Sequence, residues 1–293
     1  MAPGPSLSSY QTQFFPPQPS WTEKSLTNLN GNVYIVSGAN TGIGKEVARI
    51  LYSKNATVYV AARSEPKALA AITEIKKSHT ASEGKLHFLS LDLADLNNVK
   101  KSCADFLARE TKLDVLFNNA GVMGSNEKPN PQSVQGHDLL LGVNCIGTLL
   151  FTELLTPLLQ STARTQPRGS VRVVWLSSFG LELFAAEGKG VDLDEIASGK
   201  LAQRSATERY GVSKTGAWAL GVDYARRHKA DGITSVSINP GNLKTELPRD
   251  QSFAIKMAAR LVGYSATHGA YTELYAAFSP DVLDMAPEEW GKF

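Results

Sequence analysis

Cysteine, net charge and long apolar runs are what this chain has least of. Cys103 and Cys145 are its only cysteines in 293 residues, which excludes a disulfide framework. Both fall in stretches with helical periodicity and read as free thiols of a reducing compartment. Thirty Lys and Arg against 28 Asp and Glu leave a formal charge of +2, too little to draw nucleic acid or an anionic membrane. No uninterrupted apolar run reaches the roughly 18 residues of a spanning helix. Residues 1–20 hold no Lys or Arg and are broken by Pro3, Pro5, Pro16, Pro17 and Pro19. That is neither the basic start nor the apolar core of a secretory signal, and the expected address is the cytosol. The five histidines fall in no HExxH or other ligand spacing, so no metal is expected. No G-x-S-x-G nucleophile elbow occurs. The basic run Arg226-Arg227-His228-Lys229 reads as the end of a helix, where cations suit the dipole.

What is present is an ordinary globular composition, 42% hydrophobic and 20% charged. Residues 1–28 form a Pro-rich lead-in, and 29–293 read as one domain. The first 20 residues are expected as a mobile tail or an extended strap, with Phe14, Phe15 and Trp21 as its anchors. From Val33 onward apolar runs alternate with helical patterns. Strands are expected at 33–36, 57–61, 86–91, 115–117, 171–176 and 233–238. Ile43, Val47, Ile50 and Leu51 lie on one helical face, as do Leu96, Val99, Cys103, Phe106 and Leu107. A longer helix is expected over about 133–160, with a kink or stop at Pro157. Another carries Tyr210 and Lys214 and runs to about residue 228. Strands alternating with helices predict an α/β fold with a Rossmann-type, doubly wound parallel sheet in a single domain. The tract 179–206 breaks the alternation. It is too long for an ordinary connection and reads as an insertion that contacts substrate.

Two stretches carry chemistry. Ser37-Gly38-Ala39-Asn40-Thr41-Gly42-Ile43-Gly44 joins the first strand to the first crossover helix. Its glycines let backbone bend sharply and approach a pyrophosphate, and the helix N-terminus faces the anion. The second strand ends Ala61-Ala62-Arg63-Ser64, without the acidic residue that would bind ribose hydroxyls and select NAD(H). A guanidinium at Arg63 suits a 2′-phosphate and predicts NADP(H), against the alternative of a solvated loop arginine. Far downstream, Tyr210 and Lys214 stand one helical turn apart. A phenol titrates near 10, and a neighbouring ammonium would lower it by favouring the phenolate.

Gly38-x-x-x-Gly42-Ile43-Gly44, Asn118-Asn119-Ala120-Gly121, Asn144, Ser177-Ser178, Tyr210-x-x-x-Lys214 and Asn239-Pro240-Gly241 follow one another in that order. In this the chain resembles the short-chain dehydrogenase/reductase (SDR) superfamily over about residues 29–277. Retinol-dehydrogenase-like proteins and fungal secondary-metabolite reductases are the nearest resemblance. The resemblance implies that Tyr210 is the proton donor for carbonyl reduction and the base for alcohol oxidation. It implies that Lys214 holds the nicotinamide ribose, that Ser178 hydrogen-bonds the substrate oxygen, and that Asn144 supports a water linking Lys214 to solvent. Asp92 with Leu93 would meet the adenine edge, and Asn119, Ala120 and Gly121 would line the adenosine side. Asn119 also suits a structural reading, tying neighbouring strands together. Pro240, Gly241, Leu243 and Thr245 would flank the nicotinamide.

Two departures stand out. Ser178 and Tyr210 are 32 residues apart, farther than in much of the family, with the excess in 179–206. The family's last strand is expected to be missing or altered, since Gly291-Lys292-Phe293 ends the chain. The function implied is interconversion of a carbonyl and an alcohol on a lipophilic small molecule, with NADP(H) and no metal. Phe179, Leu181, Phe184, Leu247, Phe253, Met257 and Leu261 would form an apolar pocket or pack the core. An epimerase or dehydratase using the same four residues is one alternative, and an NADP(H)-binding regulatory protein without turnover is another. A homodimer is expected by analogy.

Overall fold

The computed structural model describes residues 5–124, 130–243 and 263–285. Among these, six strands form one sheet: β1 (Val33–Ser37), β2 (Thr57–Ala62), β3 (Lys85–Ser90), β4 (Val115–Asn118), β5 (Arg172–Leu176) and β6 (Thr234–Ile238). Their order is β3-β2-β1-β4-β5-β6, every neighbouring pair parallel. All strand ends expected from the pattern lie within a residue of those observed. The near-continuous apolar runs of β1 and β5 follow from burial on both faces.

Helices cover both sides. On one face lie α2 (Gly42–Ser53), α3 (Glu65–Ser78) and α10 (Ala266–Phe278), packing Val47, Ile50, Leu51, Ile72 and Leu274 against Tyr34, Val36 and Val58. On the other lie α4 (Leu96–Leu107), α6 (Thr148–Ala163) and α9 (Ala206–His228), packing Val99, Phe106, Phe151, Leu155 and Tyr224 against Ile35, Leu116 and Trp175. The sequence pattern had singled out neither α3 nor α10. The buried stripe of α3 includes the small residues Ala68 and Ala71.

The long helix differs from expectation at both ends. It starts at Leu139, as α5 (Leu139–Leu141), and not near 133. Ser133 instead closes a turn in which its N–H donates to the His137 carbonyl at 2.8 Å, and Asp138 caps the helix through the N–H groups of Leu140 and Leu141. A π-helical turn, Gly142–Gly147, connects α5 to α6. The helix then passes through Pro157 to Ala163 without stopping. Pro157 is exposed, so water can serve the carbonyl that its ring leaves unpaired. By length and composition Leu139–Ala163 is apolar enough to cross a membrane, but most of its apolar window is buried inside the fold.

The tract 179–206 is ordered: α7 (Gly180–Phe184), α8 (Leu193–Ala197) and a 3₁₀ turn, Lys200–Gln203. Arg204 holds Glu195 with two hydrogen bonds, at 2.6 and 2.8 Å. Within the lead-in, residues 7–14 form the helix α1 (Leu7–Phe14) where a tail or an extended strap is expected. Trp21 stacks on Phe278 with centroids 6.3 Å apart, as an anchor should, but Phe15 is largely exposed. At the basic run, Arg227 pairs with Asp223 and Glu153, and His228 with Asp231. The expected change in the last strand falls beyond residue 285, outside the described residues.

Candidate active site

Because every strand is parallel, the loops after β1 to β6 gather at one edge of the sheet, with the switch in strand order between β1 and β4. Most of the residues singled out above stand there. Asn144 comes to the same edge from the π turn, and Tyr210 and Lys214 come from α9.

The glycine turn is tightly built. Gly38 and Gly42 have φ of +67° and +59°, where a side chain would be strained. Gly38 N–H donates to the Ala61 carbonyl at 2.8 Å. A Cβ on Gly44 would strike the Asn119 amide and lie 2.9 Å from the Gly38 carbonyl. Thr41 precedes α2 without giving it a side-chain cap, so the first N–H groups of α2 stay available to an anion. Asn40 lies within the same turn. Ile43 packs with Leu243 around Gly269 of α10.

Ser37 and Asn119 join β1 to β4. The Asn119 amide donates to the Ser37 carbonyl at 2.7 Å, and Ala120 N–H donates to Ser37 Oγ at 2.9 Å. Asn119 therefore has the strand-tying contact that its structural reading requires. Arg63 is exposed just beyond β2 and has no ion-pair or hydrogen-bond partner among the described residues. Asp92 accepts from Ala94 N–H at 3.0 Å, and Leu93 beside it is buried. Pro240 and Gly241 follow β6. Thr245, Leu247, Phe253, Met257 and Leu261 lie outside the described residues.

Tyr210, Lys214 and Asn144 are buried, at 8%, 3% and 3% exposure. Asn144 exchanges two hydrogen bonds with the Val122 backbone, at 2.9 and 3.1 Å, and donates to Ser213 Oγ at 2.9 Å. Lys214 Nζ donates to the Leu176 carbonyl at 2.7 Å and lies 5.9 Å from the centre of the Tyr210 ring. Gly121 permits this crowding, since a Cβ there would come within 3.1 Å of Lys214 Nζ and 3.3 Å of Asn144 Oδ1. The two serines separate cleanly. Ser177 Oγ is committed to the Lys214 carbonyl at 2.8 Å, whereas Ser178 Oγ accepts from Gly180 N–H at 3.2 Å and its hydroxyl acts on the Tyr210 phenol, favouring the phenolate. The capping box of Ser205 and Glu208 starts α9 just before Tyr210, and α7 packs through Phe184 onto Gly211.

Electrostatics corrects one expectation. Burial pushes the Tyr210 phenol up to about 12, with the Ser178 hydroxyl acting against it. Lys214 does not reverse this, because its ammonium is turned toward the Leu176 carbonyl. Burial in turn pulls Lys214 down to about 8. Sequence reasoning missed Glu273 of α10. It is 1% exposed, neither carboxylate oxygen has a partner among the described residues, and burial pushes it up to about 8. An acidic residue in an otherwise apolar helix face was the available signal.

The glycine cradle, the open N-terminus of α2 and the close approach at Gly121 fit a dinucleotide. Comparison with known proteins agrees. The short chain dehydrogenase family model matches residues 32–188. A short-chain dehydrogenase/reductase of Phomopsis amygdali is 48% identical, the match covering 98% of this chain and 87% of that protein. Among solved structures, a 3-ketoacyl-(acyl-carrier-protein) reductase from Brucella melitensis complexed with NADH is similar with a TM-score of 0.66 at 18% identity. It covers 88% of this chain and 95% of that one. A putative short chain dehydrogenase from Escherichia coli complexed with NADPH gives 0.63 at 20% identity, with the same coverage of 88% and 95%.

Proposed function

The chain belongs to the short-chain dehydrogenase/reductase family, and on that premise we propose that it reduces a carbonyl, or oxidises the matching alcohol, of a lipophilic small molecule with NADP(H). The observation that supports this most is the buried phenol of Tyr210, with Lys214 Nζ 5.9 Å from its ring and the Ser178 hydroxyl acting on it. When bound, the nicotinamide supplies or accepts the hydride.

The residues divide the remaining work. Tyr210 delivers a proton from its phenol oxygen to the carbonyl oxygen in reduction and takes it back in oxidation. A phenol held near 12 is a proton donor at neutral pH, which suits reduction. Ser178 Oγ donates to the substrate oxygen as charge develops there. Lys214, whose Nζ lies beside the Leu176 carbonyl, would hold the nicotinamide ribose hydroxyls, and its charge near the phenol would favour the phenolate. Asn144 holds the π turn to the Val122 backbone and keeps a water route to Lys214. The backbone of Gly38, Asn40, Thr41, Gly42, Ile43 and Gly44 receives the pyrophosphate. Asp92, Leu93, Asn119, Ala120 and Gly121 border the adenosine side, and Pro240, Gly241, Leu243 and Thr245 the nicotinamide side. Arg63, exposed and uncommitted among the described residues, takes the 2′-phosphate. The same reading includes a pair of subunits joined through the helices of Asn144 and Tyr210, which sedimentation would test.

A carbonyl panel with deuterium on the transferring carbon of NADPH tests the reaction. Deuterium should appear at the new carbinol carbon, and Tyr210→Phe should lower kcat by roughly 10²–10⁴-fold while leaving NADPH affinity in place. Product without deuterium would sink the hydride reading. Arg63→Asp should abolish any preference for NADPH over NADH. An unchanged preference would remove Arg63 from the 2′-phosphate.

A further inference from the structure

The N-terminal helix α1 touches the rim of this site at three places and has no role in the reading above. Gln13 is 6% exposed although it is polar and belongs to a Pro-rich lead-in. Its amide is matched at both ends: Nε2 donates to Asn242 Oδ1 at 2.7 Å, and Oε1 accepts from Asn239 Nδ2 at 2.7 Å. Its carbonyl accepts from Asn242 Nδ2 at 3.4 Å, and the Phe14 carbonyl accepts from Tyr264 Oη at 3.4 Å. Asn239 and Asn242 bracket Pro240-Gly241, the turn assigned to the nicotinamide side. One turn of helix earlier, the Tyr10 ring meets Phe179 edge to face, with centroids 5.4 Å apart and planes at 68°. Phe179 directly follows Ser178 and is 9% exposed, whereas Tyr10 keeps 39% of its surface free.

A helix of eight residues has no stability of its own in water, so its order depends on its contacts with the fold, chiefly the hydrogen bonds of Gln13. A buried amide satisfied on both sides also fixes one seating, because any shift leaves polar groups unpaired. The pin is Gln13, and the group it holds beside the substrate serine is Tyr10. We propose that α1 is a fixed wall of the substrate mouth. In it, Gln13 is a positioning residue and Tyr10, with Phe179, recognises the apolar or aromatic part of an extended carbonyl substrate remote from its reacting carbon. This rests on the carbonyl-reductase reading.

The test uses the full chain loaded with NADPH and a homologous series of aryl alkyl ketones of increasing length. Binding is followed by the fluorescence of the bound nicotinamide, with turnover measured in parallel. Hydrogen exchange reports the seating of α1. Tyr10→Ala should leave α1 protected and NADPH affinity unchanged, yet weaken the longer ketones by roughly five- to tenfold and the shortest hardly at all. Gln13→Ala should raise exchange across 7–14 and weaken the same longer ketones. Phe15→Ala, largely exposed in the same segment, should do neither. Equal binding of the whole series by the parent and Tyr10→Ala would overturn the proposal, as would a released α1 in Gln13→Ala with binding intact. Failure of the parent to bind any ketone would overturn it too. If the parent binds the series but oxidises no NADPH, the reductase reading fails, and the binding data still decide the role of α1.

Discussion

Replacing Glu273 by glutamine should remove a fall in stability that the parent shows between about pH 5 and 8. In the folded chain burial holds this carboxyl protonated up to about 8, against an ordinary value of 4.5, with the charge of Lys214 pulling the other way without prevailing. Between those values the unfolded chain has released the proton and the folded chain keeps it. The folded state therefore binds more protons, and stability is lost as pH rises, by up to about 1.4 kcal/mol per pH unit. Over the whole interval the loss approaches about 5 kcal/mol, an upper bound because water reaching the carboxyl would lower it. Urea unfolding of parent and Glu273→Gln at pH 5, 6, 7 and 8 measures this directly, because the difference between the two cancels groups that titrate alike in both. The glutamine adds a constant offset, since its amide also lies buried, but contributes no slope. The variant should gain on the parent steadily with pH and level off near 8. A flat difference would mean that Glu273 titrates as an ordinary carboxyl. If pairing with Lys214 outweighed burial the difference would also be flat over this range, with its slope displaced below pH 4.5.

Two further perturbations probe the frame of the site. Gly44→Ala drives a methyl into the Asn119 amide and the Gly38 carbonyl, which fix the turn to β4. It should cost about 1–3 kcal/mol of stability and at least roughly tenfold in NADPH affinity by titration; parent-like binding would refute the cradle. Asp138 pairs with the buried Arg209 at 2.6 Å while capping α5. This pair links the start of the long helix to the residue before Tyr210. Asp138→Asn keeps cap acceptors but strands Arg209, for an expected loss of about 3 kcal/mol. Asp138→Ala should add about 1 kcal/mol by losing the cap, and equal melts for parent and Asp138→Asn would remove the argument.

The doubly wound fold was legible because each of its parts has a local cause. β1 and β5 carry near-continuous apolar runs since both faces are covered, α2 shows its stripe from Ile43 to Leu51, and Gly38 and Gly42 mark backbone that only glycine adopts without strain. The Tyr210 and Lys214 pair was legible for the same reason, a single helical turn. Less was visible where the cause is not local. The π turn that carries Asn144 shows no break in apolar spacing, and α3 presents alanines to the core where longer residues would have shown a stripe. Sequence could favour Ser178 over Ser177 only by resemblance. The structure separates them because alternate residues at the end of a strand point opposite ways, one into the Lys214 carbonyl and one toward the phenol.

Local pattern was enough for the succession of strands along the chain, the glycine turn and the residue types available for proton transfer. How those groups titrate and what closes over them depends on the assembled fold. Burial raises Tyr210 where local spacing pointed to lowering it, and it keeps Glu273 protonated. Asn239 and Asn242, more than 220 residues further along the chain, capture Gln13. Desolvation and pairing of buried polar groups depend on what the whole fold brings together, and no window of sequence contains that.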